Sequence, residues 1–210
     1  MSMELTRVED FPLFPLGLVA LPTELVPLHI FEQRYKTMVN VCIDQDREFG
    51  IVWLADDGLR EIGCACLVDR VLERLDDGRL NIVVRGTRPI RVLERQPHLA
   101  YPAGIVEFVA DREETSDAEQ SDHAHAAYAE LVKQATGRDA DEAEVAAMSA
   151  YAMAATVELG LEAKQGLLDL RSENARMRFV TRLFRGALKK LDFADRAETR
   201  ARSNGKVRFG

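Results

Sequence analysis

The sequence predicts an α+β fold: a closed or nearly closed β-barrel with one short early helix, then a bundle of helices. Two observations carry this. In the first half, apolar residues come in short runs bounded by Pro, Gly and Asp-Asp-Gly punctuation, the pattern of many short strands. Beyond the acidic, small-residue stretch "DREETSDAEQSDHAH" the apolar period becomes helical and stays so. The chain has 210 residues, 47% hydrophobic and 30% charged, enough apolar mass for a real core. The expected organisation is a β-rich unit over 1–112, a helical unit over 113–195 and a polar, basic tail over 196–210.

Taken in order, "FPLFPLGLVALP" is apolar but broken by Pro12, Pro15 and Pro22, which predicts edge strands and turns. In "IFEQRYKTMVNVCIDQD", residues Ile30, Tyr35, Met38, Val39, Cys42 and Ile43 include helical spacings, so a short amphipathic helix follows. "REFGIVWLA" returns to a buried strand that ends at Asp56-Asp57-Gly58. Two β-rich runs then flank Asp76-Asp77-Gly78, a strong hairpin signal. Gly86 interrupts the second run and predicts a bend or bulge before Pro89. "YPAGIVEFVA" supplies a further strand. In the second half, Ser116 and Glu119 have capping-box spacing ahead of a helix containing Tyr128, Leu131, Val132 and Ala135. "DEAEVAAMSAYAMAATVEL" reads as one Ala-rich helix ended by Gly160, and "LEAKQGLLDL" as a short one. "SENARMRFVTRLFRGALKKL" is the last, with Met177, Val180, Phe184, Leu188 and Leu191 in one apolar stripe and frayed polar chain after it.

Charge is uneven. The formal net charge is -7. Residues 111–144 hold eleven acids against three bases, whereas 164–208 hold thirteen Lys or Arg against five acids. A basic C-terminal segment can be a nucleic-acid footprint. The overall acidity opposes that, because duplex binding relies on neutralising many phosphates, so nucleic acid is not the expected partner. No apolar run approaches the roughly 18 residues of a membrane span, so no membrane association is expected. The N-terminus "MSMELTRVED" lacks an apolar leader core, and the expected location is the cytoplasm. Cys42, Cys64 and Cys66 form no CxxC and read as buried small hydrophobes rather than a disulfide or metal set.

The chemically capable residues gather in "LPTELVPLHIFEQRY". His29 and Glu32 could seed a catalytic pair, but no GxSxG elbow supplies a nucleophile. The preferred reading is a satisfied, partly buried structural His29, with Glu32 and Arg34 capping or pairing at the helix start. His123 and His125, two apart on a helix, diverge by about 200° and cannot easily share a metal ion. "NGKVR" lacks the rest of a phosphate loop. No cofactor is expected, and Phe11, Phe14, Leu18 and Phe31 could serve either a core or a groove for extended peptides.

These residues also carry a family resemblance. "FPLFPLGLVALPTELVPLHIFEQRYKTMV" resembles the opening signature of the Lon protease N-terminal (substrate-binding) domain family, at Pro12 to Leu16, Leu21-Pro22, Pro27 to Glu32 and Arg34-Tyr35. The likeness continues through "FGIV", "EIGCACLV", "DGRLNIVVRGTRPIRVLE" and Tyr101, and in the helical half through "KQGLLDL" and Arg178. It implies a PUA-like pseudo-barrel followed by a helical bundle. It also implies structural roles for Pro12, Pro15, Pro27, His29, Phe31, Glu32, Arg34, Tyr35, Gly50, Gly63, Gly78 and Gly86. The chain looks like a free-standing member without the ATPase and Ser-Lys protease modules, hence a non-catalytic, proteolysis-related module for exposed polypeptide segments or partner proteins. Phe11, Phe14, Leu18 and Tyr101 are its candidate contacts, in a groove expected near the junction of barrel and helices. An RNA-binding PUA-like protein and an enzyme centred on His29 and Glu32 are the alternatives.

Overall fold

The computed structural model describes residues 7–204, with side-chain surroundings defined for 7–193. Among these are seven strands: β1 (Arg7–Leu16), β2 (Leu25–Ile30), β3 (Phe49–Ala55), β4 (Gly58–Leu59), β5 (Ile62–Arg74), β6 (Leu80–Gln96) and β7 (Ala103–Phe108). The helices are α1 (Gln33–Asp44), α2 (Ala118–Thr136), α3 (Glu142–Ala146), α4 (Ala150–Ala154), α5 (Leu161–Asp169) and α6 (Glu173–Asn204). The α+β class is as the sequence predicts. Two compact units form: one comprises the chain to Glu114 together with Ala154–Ser172, the other Thr115–Met153 together with the chain from Glu173.

In the first unit the sheet closes on itself. The hydrogen-bonded order β1-β7-β6-β5-β3 is completed by a parallel β1–β3 pairing, which makes a ring; β2 adds to β6 and β4 to β3. Each ring strand sends an apolar side chain inward: Phe11 and Leu13 from β1, Val52 from β3, Ala65 from β5, Ile90 from β6, Val106 from β7. Period-2 alternation puts the next residue on the other face. There Phe14 lies 4.1 Å from the Tyr35 ring of α1 and 6.3 Å from Phe49. Helix α1 buries Tyr35, Met38, Val39 and Cys42, four of the six residues its spacing marks; Ile43 is half-buried and Ile30 belongs to β2.

Two expectations for this unit change. Strand β1 is not an edge: Arg7–Pro12 pair with β7, and Leu13–Leu16 pair with β3. The strand hands over from one partner to the other, so most of its length is bonded on one side only, and its prolines fit there. Residues 25–30, to which the sequence assigns no strand, form the edge strand β2, which suits Pro27 for the same reason. The hairpin at Asp76-Asp77-Gly78 is as expected, with Gly78 at φ 79°. The bulge predicted near Gly86 falls at Thr87, where β6 shifts register against β5. Gly86 has a second task, because Thr23 N–H donates to its carbonyl (2.8 Å) and its own N–H donates to Glu24 (2.9 Å), docking the β1–β2 loop.

The stretch 154–172, which the sequence division assigns to the helices, belongs to this strand unit. Gln165 donates to the Ile62 carbonyl (3.1 Å), Lys164 pairs with Glu24, and Arg171 donates to the Ala110 carbonyl (2.8 and 3.0 Å). These polar ties between distant positions leave no mark in an apolar period.

In the second unit α2 packs along α6, with the Tyr128 and Phe184 rings 5.6 Å apart. The cap of α2 is Asp117, which accepts from Gln120 N–H (3.2 Å), one residue beyond the Ser116 the capping-box spacing picks. Asn174 fixes that choice by accepting from Asp117 N–H (2.9 Å). The expected single Ala-rich helix is two short ones. Ser149 starts α4 by accepting from Ala152 N–H (3.2 Å), and the freed Met148 carbonyl lies 2.9 Å from His125 Nε2. Buried Arg176 pairs with Glu173 (2.8 Å) and stacks 4.5 Å from the Tyr151 ring. Helix α6 runs on to Asn204 rather than fraying after Leu191, since no Pro or Gly interrupts 187–204 and Ala, Arg and Lys recur there. The rest of the expected tail, 205–210, lies outside the described residues. No helix among the described residues is long and apolar enough to cross a membrane.

Candidate functional site

The strand unit carries an open, largely apolar hollow of about 820 Å³. Pro15 and Leu16 at the end of β1 form one wall, Leu54 and Leu59 from the β3–β4 hairpin another, and Pro97, Pro102 and Ala103 around the β6–β7 loop a third. Leu13 and Tyr35 supply the base. Leu54 is 52% exposed, a large apolar side chain presented to whatever enters.

The polar rim comes from Glu32, Arg34, Arg95 and Gln96. Glu32 occupies the N-cap position of α1, yet its side chain makes no cap bond; its carboxylate pairs with Arg34 at 2.9 Å instead. The Arg34 guanidinium also lies 4.6 Å from the centroid of the Tyr35 ring. Burial pushes the Tyr35 phenol above its ordinary value despite the nearby Arg34, so the ring meets the groove as a neutral aromatic. An apolar channel with a few fixed polar groups suits an extended chain segment, its side chains in the apolar part and its amides toward the rim.

The candidate residues divide. Pro15, Glu32, Arg34 and Tyr35 come together in this hollow. Phe11 and Phe14 do not: both are core residues, one inside the ring and one under α1, because β1 turns each toward a buried face. That removes them as surface contacts. Leu18 and Tyr101 are half-buried and outside the lining. The hollow lies within the strand unit, built from β1, α1, β3, β4 and the β6–β7 loop.

His29 is exposed, not partly buried, since it projects from the outer face of β2. Its Nδ1 lies 2.6 Å from the Asn81 side-chain oxygen, Asn81 donates on to Glu73 (2.8 Å), and its ring stacks on Phe31 at 5.9 Å. Asn81 oxygen only accepts, so Nδ1 carries the proton of this contact. His29 therefore faces a different hollow from Glu32, and the pair that could have seed catalysis is not assembled. Pro12 and Pro27 sit in β1 and β2, and Gly50 and Gly63 face close neighbours inside the sheet.

Cys42 and Cys64 offer no nucleophile. Burial pushes Cys42 up to about 11 and Cys64 well above its usual range, so both stay protonated near neutrality. Among the described residues no three His, Cys, Asp or Glu are placed to hold a metal ion.

The chain matches the family model of the ATP-dependent protease La (LON) substrate-binding domain over residues 10–185. Among solved structures it is similar to a Lon N-terminal domain protein from Xanthomonas campestris, with 25% identity and a TM-score of 0.61, covering 82% of this chain and 95% of that one. The N-terminal domain of a Mycobacterium avium complex Lon protease shares the fold, at 19% identity and a TM-score of 0.62, covering 83% and 97%.

Proposed function

Because the chain belongs to the family of Lon substrate-binding domains, we propose that it is a non-catalytic recognition module that holds extended, apolar polypeptide segments in the groove between Pro15, Leu54 and Pro102. One observation carries the proposal: Pro15, Glu32, Arg34 and Tyr35, all in the opening signature, line that one apolar groove. The side chains of a bound segment would lie against Leu16, Leu54 and Leu59, and removing this surface from water contributes about 25 cal/mol per Å². The Glu32 and Arg34 charges offset one another, which leaves Arg95 as the further charge on a mainly apolar lining and suits clients recognised chiefly by exposed apolar character.

The test is fluorescence anisotropy with a labelled, extended apolar peptide. Leu54→Asp puts a charge on an already exposed position and should leave folding intact while weakening binding about tenfold, or ~1.4 kcal/mol. Leu72→Asp, at an exposed leucine outside the groove (59% exposed), should leave affinity unchanged. No binding by the parent protein, or loss on Leu72→Asp rather than Leu54→Asp, overturns the assignment.

A further inference from the structure

Helix α6 carries a feature the groove does not use. Between Glu173 and Asp192 the sequence holds four Arg and two Lys and not one acid. Arg176 is buried and paired with Glu173. Of the other five, Lys190 is exposed, and so are Arg178, Arg182, Arg185 and Lys189. Their spacing of four, three and four residues sets them on one side of the helix. The row extends over ~16 Å at 1.5 Å per residue. None of these four has an ion-pair partner among the described residues, although acids abound elsewhere in the chain. The Arg182 guanidinium lies 5.4 Å from the Phe179 ring.

We propose that this row binds the phosphodiester backbone of a single-stranded nucleic acid. The chemistry selects the ligand. Three of the four cations are guanidiniums, whose planar fork matches phosphate oxygens. Among the described residues no large apolar side chain is exposed between Arg178 and Lys189, so the row lacks the apolar centre that a protein interface requires. Along the row itself the apolar residues Met177, Val180 and Phe184 are buried, and the exposed Leu191 and Phe193 lie beyond its last cation, so the row from Arg178 to Lys189 presents charge without apolar side chains to insert into a lipid surface. A flexible single strand can lay successive phosphates along a straight row, and such contacts read no sequence. The net charge of the whole chain argues the other way. At contact distance the local balance decides, because exposed charges more than about 8 Å away are largely screened at physiological ionic strength.

Anisotropy of end-labelled single-stranded RNA, and of DNA of the same sequence, tests this on the full chain. Four neutralised phosphates predict a slope of log K against log salt near about -3, roughly a 50-fold loss of affinity between ~50 and ~200 mM salt. Arg182→Gln with Arg185→Gln should halve that slope to about -1.4. Removing the same charge elsewhere, by Arg70→Gln with Arg79→Gln, should leave it unchanged. RNA and DNA should bind alike. No binding at low salt, a slope insensitive to the α6 pair, an equal effect of the control pair, or tighter binding of labelled polyglutamate than of RNA would each overturn the proposal. Circular dichroism of the variants establishes that the exposed substitutions leave the helices intact.

Discussion

A methyl group at position 86 would occupy space already held by backbone. A Cβ built on Gly86 falls 2.0 Å from the Leu21 carbonyl oxygen and 2.8 Å from its carbon. Neither atom can rotate away as a side chain could, and the loop is bonded to the same residue through Thr23 and Glu24. Gly86→Ala should therefore cost about 3 kcal/mol, the upper range of overpacking, and lower Tm by roughly 8 °C. Gly17→Ala, where nothing lies within 4 Å, is the control for a differential scanning measurement. The glycine is legible in the sequence as a break in a strand; its close contact is not, because the Leu21 backbone arrives from a loop 65 positions earlier, as their numbers show. The groove divides in the same way. Pro15, Glu32, Arg34 and Tyr35 stand out within one short signature, whereas Leu54, Arg95 and Pro102 join them only through pairing of distant strands. Leu54 also ends an apolar run that reads as wholly buried, so its exposure has no local signal. Phe11 and Phe14 fail as surface contacts for the complementary reason: alternation places successive residues on opposite faces, but here both faces of β1 are covered.

At the scale of the element, helix starts are decided by a few side chains whose rivals look equally able. Ser116 and Asp117 both favour caps on propensity. The tie is broken by Asn174, which holds Asp117 N–H at 2.9 Å and donates to the Thr115 carbonyl at 2.9 Å, fixing where the chain turns. Asp117→Ala should cost ~1 kcal/mol and speed hydrogen exchange at Gln120, while Ser116→Ala should change neither. Equal effects of the two substitutions would restore the capping-box assignment. The same logic explains the break between α3 and α4. Helical period continues through Met148 and Ser149, so the sequence reads as one helix, yet the Ser149 side chain caps a new start and the Met148 carbonyl lies against His125. Period detects an element; competing hydrogen bonds decide its ends.

At the scale of the whole molecule, the succession of strands then helices is legible because burial imposes a period of two and then of 3.6 on the apolar residues. Closure of the ring is not, since the parallel β1–β3 pairing joins Leu13 to Gly50 and no local pattern encodes that match. What closure and the covering helix do create is a set of acids kept from water, and these link global stability to pH. Burial raises Cys42 from an ordinary value of 9.0 to about 11, and raises Cys64 and Tyr35 in the same direction. In the unfolded chain a thiol releases its proton near pH 9, while the folded form of Cys42 holds it until about pH 11. The folded state therefore binds more protons across that window, so stability falls as pH rises through it. Below pH 9 the contribution is fully present; for Cys42 alone the loss by pH 11 amounts to about 2–3 kcal/mol. Urea unfolding followed from neutral to strongly alkaline solution should show the midpoint steady up to pH 9 and dropping beyond it. Cys42→Ala, which removes the ionisable group and leaves a small apolar side chain, should flatten part of that drop while lowering the neutral midpoint slightly. A midpoint that stays level past pH 9 in the parent protein would show that the Cys42 thiol is not held from solvent under α1.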